Sequence, residues 1–213
     1  MIGLFDSDVL IKLCCCNLWS EAITALGIST AYRLPQTSSL PWVRRKLLQK
    51  LKEAELSDII ERIDAVNKTV EPLPDDYTDG LEAFEAFKAM QEVDNINDGE
   101  QILAAILMRS PDGKTLLSGD KRFIEAFRTA FPKEWETLSK CIVSFEMCLE
   151  AIEAKYGYDH IHQNAAHIKH CDGTLRLAIL AEPNRDHFIE CIASYNPCRV
   201  VVEVTETVVI VQG

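Results

Sequence analysis

Acidic side chains stand at three points where a short apolar run or a loop gives way to a helical pattern: Asp6 and Asp8, Asp98 and Glu100, and Asp120. Carboxylates brought to one place repel and desolvate one another, so a convergent set calls for a compensating cation. All-oxygen ligands favour Mg²⁺ or Mn²⁺. Such an ion activates water and neutralises charge on a scissile phosphate, so acids plus metal point to phosphodiester hydrolysis. Taken singly, each acid has a plainer role, because an Asp at a strand end or helix start is more often a cap or a dipole partner than a ligand. Asp98 is the weakest member, since either it or Asn97 would cap the helix that follows. The candidates for chemistry are therefore Asp6, Glu100 and Asp120, with Asp98 and Asp8 as further metal ligands.

Convergence needs a fold that gathers distant acids, and open α/β sheets do so beyond the carboxyl ends of their strands. Residues 2–5 are a short apolar run closed by Asp6, and residues 8–26 follow with a helical pattern. Gly27 stops that helix, and residues 28–34 form a second strand ended by Pro35. Trp42, Leu47, Leu48, Leu51, Leu56, Ile59, Ile60 and Ile63 recur at spacings of three and four, which predicts helix over residues 41–67. Residues 70–79, with Pro72 and Pro74, read as a loop, and residues 81–93 and 99–108 as helices. Residues 115–118 are a short buried strand ahead of a helix reaching Phe131, and a last strand at 141–145 leads into a helix ending near Tyr156. The alternation predicts an α/β fold, a small parallel β-sheet flanked by helices, over residues 1–155, with a helical insertion at about 41–95. Residues 156–213 carry all five histidines and end in a valine-rich run, which predicts a C-terminal α+β extension closing in a hairpin or long strand.

Three segments carry a family resemblance. FDSDVLIKL resembles the opening strand, acid and helix of PIN-domain nucleases, NDGEQILAAILM resembles their acidic helix start, and LLSGDKRFIEAF looks like their late strand, Asp and helix. Order and spacing agree over residues 1–150. The resemblance implies a Mg²⁺- or Mn²⁺-dependent ribonuclease with Asp6, Glu100 and Asp120 at the metal-binding positions and an RNA substrate, and it suggests a toxin-like protein with an antitoxin-like partner. One departure stands out: the family commonly places a further acid just after its second strand, where this chain has Gln36, Thr37, Ser38 and Ser39. The nearest acids downstream are Glu53 and Glu55, so either the helical segment folds one of them back to the site, or the site is depleted and the chain is a catalytically impaired, PIN-like interaction module.

The same acids admit another enzyme. Asp6-Ser7-Asp8-Val9 and Ser118-Gly119-Asp120 resemble the nucleophile and late motifs of haloacid dehalogenase-like phosphatases, in which the first Asp attacks phosphorus. That family's additional Asp after the Gly-Asp is replaced here by Phe123 and Ile124. His160, His162, His167 and His170, with Cys171, raise zinc, but their spacing matches no finger, and a polar helix face is the plainer reading.

Bulk properties bound the choice. With 213 residues and 47% hydrophobic content, the chain can bury a full core. No apolar run approaches the roughly 20 residues of a membrane span. The acids near the start break any signal-peptide pattern, which predicts a cytoplasmic protein. Eight cysteines, three consecutive at Cys14, Cys15 and Cys16, fit reduced, buried thiols rather than a disulfide framework. A net charge of −11 argues against a broad basic surface, although residues 43–52 form a basic run. Arg44 and Arg45 in that run, with Lys121 and Arg122 after Asp120, are the candidate RNA-phosphate contacts. The valine-rich end also offers a sheet edge through which a homodimer would form.

Overall fold

The computed structural model describes residues 1–35, 49 and 51–199. Its strands are β1 (Ile2–Phe5), β2 (Thr30–Arg33), β3 (Glu71–Pro72), β4 (Lys114–Ser118) and β5 (Ile142–Ser144). Among the described residues they form one five-stranded sheet in the order β3-β2-β1-β4-β5, with every neighbouring pair parallel. The α/β class expected from the alternation is what the chain adopts.

Parallel strands covered on both faces should read as unbroken apolar runs, and here successive residues serve opposite layers. Leu4, Leu116 and Ile142 join one buried cluster, whereas Phe5, Leu117 and Val143 join the other. The first layer belongs to α5 (Glu85–Gln91), α6 (Asp98–Arg109), α7 (Lys121–Ala130) and α8 (Pro132–Leu138). The second is filled by α1 (Ser7–Cys15), α2 (Trp19–Ala25), α3 (Glu53–Thr69) and α9 (Phe145–Tyr156). Three tail helices, α10 (Tyr158–Ala165), α11 (Gly173–Ala178) and α12 (Arg185–Tyr195), add Ile161, Leu175, Phe188 and Ile192 to that same cluster, alongside Val9 and Leu149.

Several boundaries differ from the periodicity reading. The helix expected over residues 8–26 is two helices, because Asn17 takes a left-handed turn at φ 51° and Leu18 N–H donates to Leu13 O at 2.9 Å. Asn tolerates this conformation better than most residues, and an apolar count is blind to it. The expected loop at 70–79 contains β3 and the short α4 (Asp75–Thr78). Pro72 is tolerated there because β3 is an edge strand. The helix expected at 81–93 begins as a 3₁₀ turn over Leu81–Ala83, and α5 starts only at Glu85.

The first part of the helix expected at 41–67, Arg44 and Arg45 within it, and the valine-rich strand after Arg199 lie outside the described residues. All eight cysteines are free. Burial pushes the Cys14 thiol up to about 12, and such a thiol is inert at neutral pH. No helix among the described residues is long and apolar enough to cross a membrane.

Candidate active site

The carboxyl ends of β1 and β4 lie side by side, with Phe5 paired to Leu117 and Asp6 N–H donating to Leu117 O at 2.9 Å. This pairing fixes where Asp6 and Asp120 emerge. Each then caps the helix it precedes: Asp6 Oδ1 accepts from Ser7 N–H at 2.7 Å, and Asp120 Oδ1 accepts from Arg122 N–H at 2.9 Å. The plainer role is therefore real for both, and it occupies one oxygen of a two-oxygen group.

At α6 the cap is Asn97, whose side chain accepts from Gly99 and Glu100 N–H, while Glu100 Oε2 accepts from Asn97 N–H at 2.9 Å. This reciprocal capping box relieves Asp98 of the duty, and Asp98 stands exposed. Glu100 is 2% exposed, and among the described residues its Oε1 has no hydrogen-bond partner. Burial pushes its carboxyl up to about 8; the Asn97 N–H bond opposes this, and the charges of Asp6 and Asp120 add to it.

These acids share one open cleft of about 710 Å³, lined by Asp6, Asp8, Asp98, Glu100, Asp120 and Asp172 together with Lys12 and Arg122. Its volume falls in the range of roughly 300–1,000 Å³ typical of small-ligand sites. All five acids singled out in the sequence thus line one cleft. Arg122 is there too, its guanidinium 3.1 Å from Asp120 Oδ2 and largely exposed. Lys121 is not among the cleft-lining residues. Its ammonium bonds Glu146 at 2.8 Å, Thr174 Oγ1 at 2.9 Å and Tyr195 O at 2.7 Å, which ties the start of α7 to the tail helices. Glu55, one of the two downstream acids, instead accepts from Lys52 N–H at the start of α3.

Two cleft residues, Lys12 and Asp172, are not among those singled out from the sequence. Lys12 extends from α1 to place its ammonium 2.7 Å from Asp8 Oδ2, 2.9 Å from Asp172 Oδ2 and 3.1 Å from Gly119 O. Burial works to lower its pKa, but the charges of Asp8 and Asp172 and the hydrogen bonds to them outweigh this and hold it above the ordinary value. The i,i+4 spacing of Asp8 and Lys12 was visible in the sequence. Asp172, cap of α11, arrives from the tail with no local signal linking it to the cleft. Gly119 lets the cluster close, because a Cβ there would lie 2.7 Å from Asp8 Oδ2 and 3.1 Å from Lys12 Nζ.

As the side chains stand, among the described residues no three His, Cys, Asp or Glu groups are close enough to encircle a metal ion. Each capping acid is turned to its own helix. The test of fit is Glu100: a buried carboxylate oxygen without a donor is the group a hard cation satisfies, and the rest of the donor set is all oxygen. The histidines form no such site either, since His160 bonds Glu21 at 3.1 Å, His162 bonds Leu180 O at 3.4 Å and Cys171 contacts Cys16 at 3.9 Å. Comparison with protein-family models, with curated proteins and with solved structures finds no match for this chain.

Proposed function

We propose that this chain is a PIN-like, Mg²⁺- or Mn²⁺-dependent ribonuclease that hydrolyses single-stranded RNA in the cytoplasm. The observation that carries the reading is the Glu100 oxygen, buried and without a hydrogen-bond partner among the described residues, in a cleft lined by five other carboxylates. Burying a carboxylate unsatisfied is costly, and the protonated form that burial favours at neutral pH would be a poor ligand. With a cation bound in place of the proton, Glu100 would be relieved of both difficulties. Glu100, Asp6 and Asp120 would hold it, with Asp98 at the rim as a further ligand. A bound divalent ion supplies an activated water and offsets charge on the phosphate. Arg122, exposed and forked onto both oxygens of Asp120, would exchange that carboxylate for a phosphate oxygen.

The phosphatase alternative needs Asp8 as a proton donor. Its Oδ2 is the partner of the Lys12 ammonium, an ion pair that a proton on Asp8 would break. The interaction-module alternative is separated by experiment. Cleavage of a generic single-stranded RNA that requires Mn²⁺, and that is abolished by both Asp6→Asn and Asp120→Asn, supports the nuclease. Saturable Mn²⁺ binding with cleavage of neither RNA nor DNA and no turnover of p-nitrophenyl phosphate favours the module, and turnover of p-nitrophenyl phosphate without RNA cleavage selects the phosphatase.

A further inference from the structure

Six carboxylates around one cleft invite a pair of metal ions. The charges within the cleft are not equivalent, however. An ammonium has three N–H donors, and Lys12 spends all three inside the protein, on Asp8, Asp172 and Gly119 O. Its side chain is 12% exposed, and Asp172 is 7% exposed. It is built into the wall, with no donor left over for a substrate phosphate. Asp172 is held on its other side, where Oδ1 accepts from Thr174 and Leu175 N–H at 2.8 and 3.1 Å. Glu100, also in the cleft lining, shows the reverse condition, a buried carboxylate oxygen lacking any donor among the described residues.

We infer that Lys12 is a resident cation that takes the place of a second metal, so that the cleft binds a single divalent ion on the Glu100 side. Asp8 and Asp172 then act as positioning residues for Lys12 rather than as metal ligands. This inference rests on the proposed metal-dependent activity and adds to it the number of ions and the division of labour among the acids. The geometry makes Gly119 part of the same device, since its carbonyl takes the third ammonium proton and its lack of a side chain admits the Asp8 and Lys12 pair. The tail enters the site by the same route, because Asp172 is its only contribution to the cleft lining among the described residues.

The test is the Mn²⁺ stoichiometry of metal-stripped protein, measured by titration calorimetry and by the free-Mn²⁺ electron paramagnetic resonance signal. Wild type should bind one ion. Glu100→Gln should weaken that binding at least about 10²-fold, as loss of a ligand must exceed the effect of losing an outer-shell group. Asp8→Asn should leave one ion bound with affinity within about 3-fold of wild type, a smaller change than an outer-shell loss. Lys12→Met should admit a second ion between Asp8 and Asp172, and the triple variant Lys12→Met, Asp8→Asn, Asp172→Asn should return to one. Should Lys12→Met fail to fold, the wild-type stoichiometry and the Asp8→Asn titration still decide. Two ions in wild type, or a 10-fold or greater loss of affinity in Asp8→Asn, overturns the inference while leaving a metal-dependent enzyme. No saturable Mn²⁺ binding by wild type overturns the metal-dependent reading itself, and this inference with it.

Discussion

The two sides of the acidic cleft solve the same electrostatic problem in different ways. On one side, Asp8 and Asp172 meet a lysine within 3 Å, and every donor of that lysine is used. On the other, Glu100 keeps one oxygen without a donor among the described residues, and burial pushes its carboxyl up to about 8. The first arrangement is complete as the chain folds. The second is complete only when something else arrives, either a proton or a cation. Acid count alone would treat the six carboxylates as equals, and the difference shows that what neutralises each of them decides its role.

That contrast can be broken most forcefully at its chemical end. Asp6→Asn or Asp120→Asn should lower Mn²⁺-dependent RNA cleavage by at least about 10²-fold, beyond what outer-shell losses cost, as read from initial rates on a labelled single strand. The next effect is on stability. Lys12→Met removes the cation shared by two carboxylates and should cost about 3–5 kcal/mol in urea unfolding, the usual result of removing one partner from a buried pair. Adding Asp8→Asn and Asp172→Asn should recover most of it, since Asn also caps α11.

The Glu100 side should respond to pH instead. Because its folded pKa, about 8, lies above the ordinary 4.5, its stabilising contribution is full below pH 4.5 and is lost as pH rises through 8. In metal-free protein, Glu100→Gln should therefore gain about 1–3 kcal/mol over wild type at pH 9 and nothing at pH 4.5, measured by thermal unfolding across that window. A gain that is independent of pH would show that Glu100 is not the titrating group. The smallest effect belongs to the rim. Arg122→Ala should leave the melting temperature unchanged and reduce the salt dependence of single-stranded RNA binding by about 0.7 in log K per unit log salt, the share of one phosphate contact.

Much of the frame was legible because it rests on local patterns. The doublets Leu4-Phe5, Leu116-Leu117 and Ile142-Val143 announce strands buried on both faces, and each is followed by a capping side chain, Asp6, Asp120 or Ser144, where a helix begins. Those same junctions brought the acids together, so the site's location followed from the strands. What escaped was long-range or conformational. Nothing near Asp172 connects it to Lys12, 160 positions earlier, because only the packing of the tail against α1 and α9 brings them together. Lys121 sits in the motif beside Asp120, yet Glu146, Thr174 and Tyr195 claim its ammonium, and no rule of spacing reveals a competitor on another helix. The break at Asn17 turns on a single left-handed residue, which leaves the apolar count of residues 8–26 undisturbed.

Gly119 has a consequence for heredity. A methyl group at this position would press on the ends of the Asp8 and Lys12 side chains and oblige that pair to shift, so a change at the glycine is felt by the pair. Descendants of this chain should carry Asp8, Lys12, Gly119 and Asp172 as a linked set, kept together or exchanged together. A lineage that replaces Lys12 by an apolar residue should show neutral side chains at 8 and 172 and freedom at 119. Such a pattern would turn one close approach of backbone and side chain into a signature by which kin of this protein are recognised.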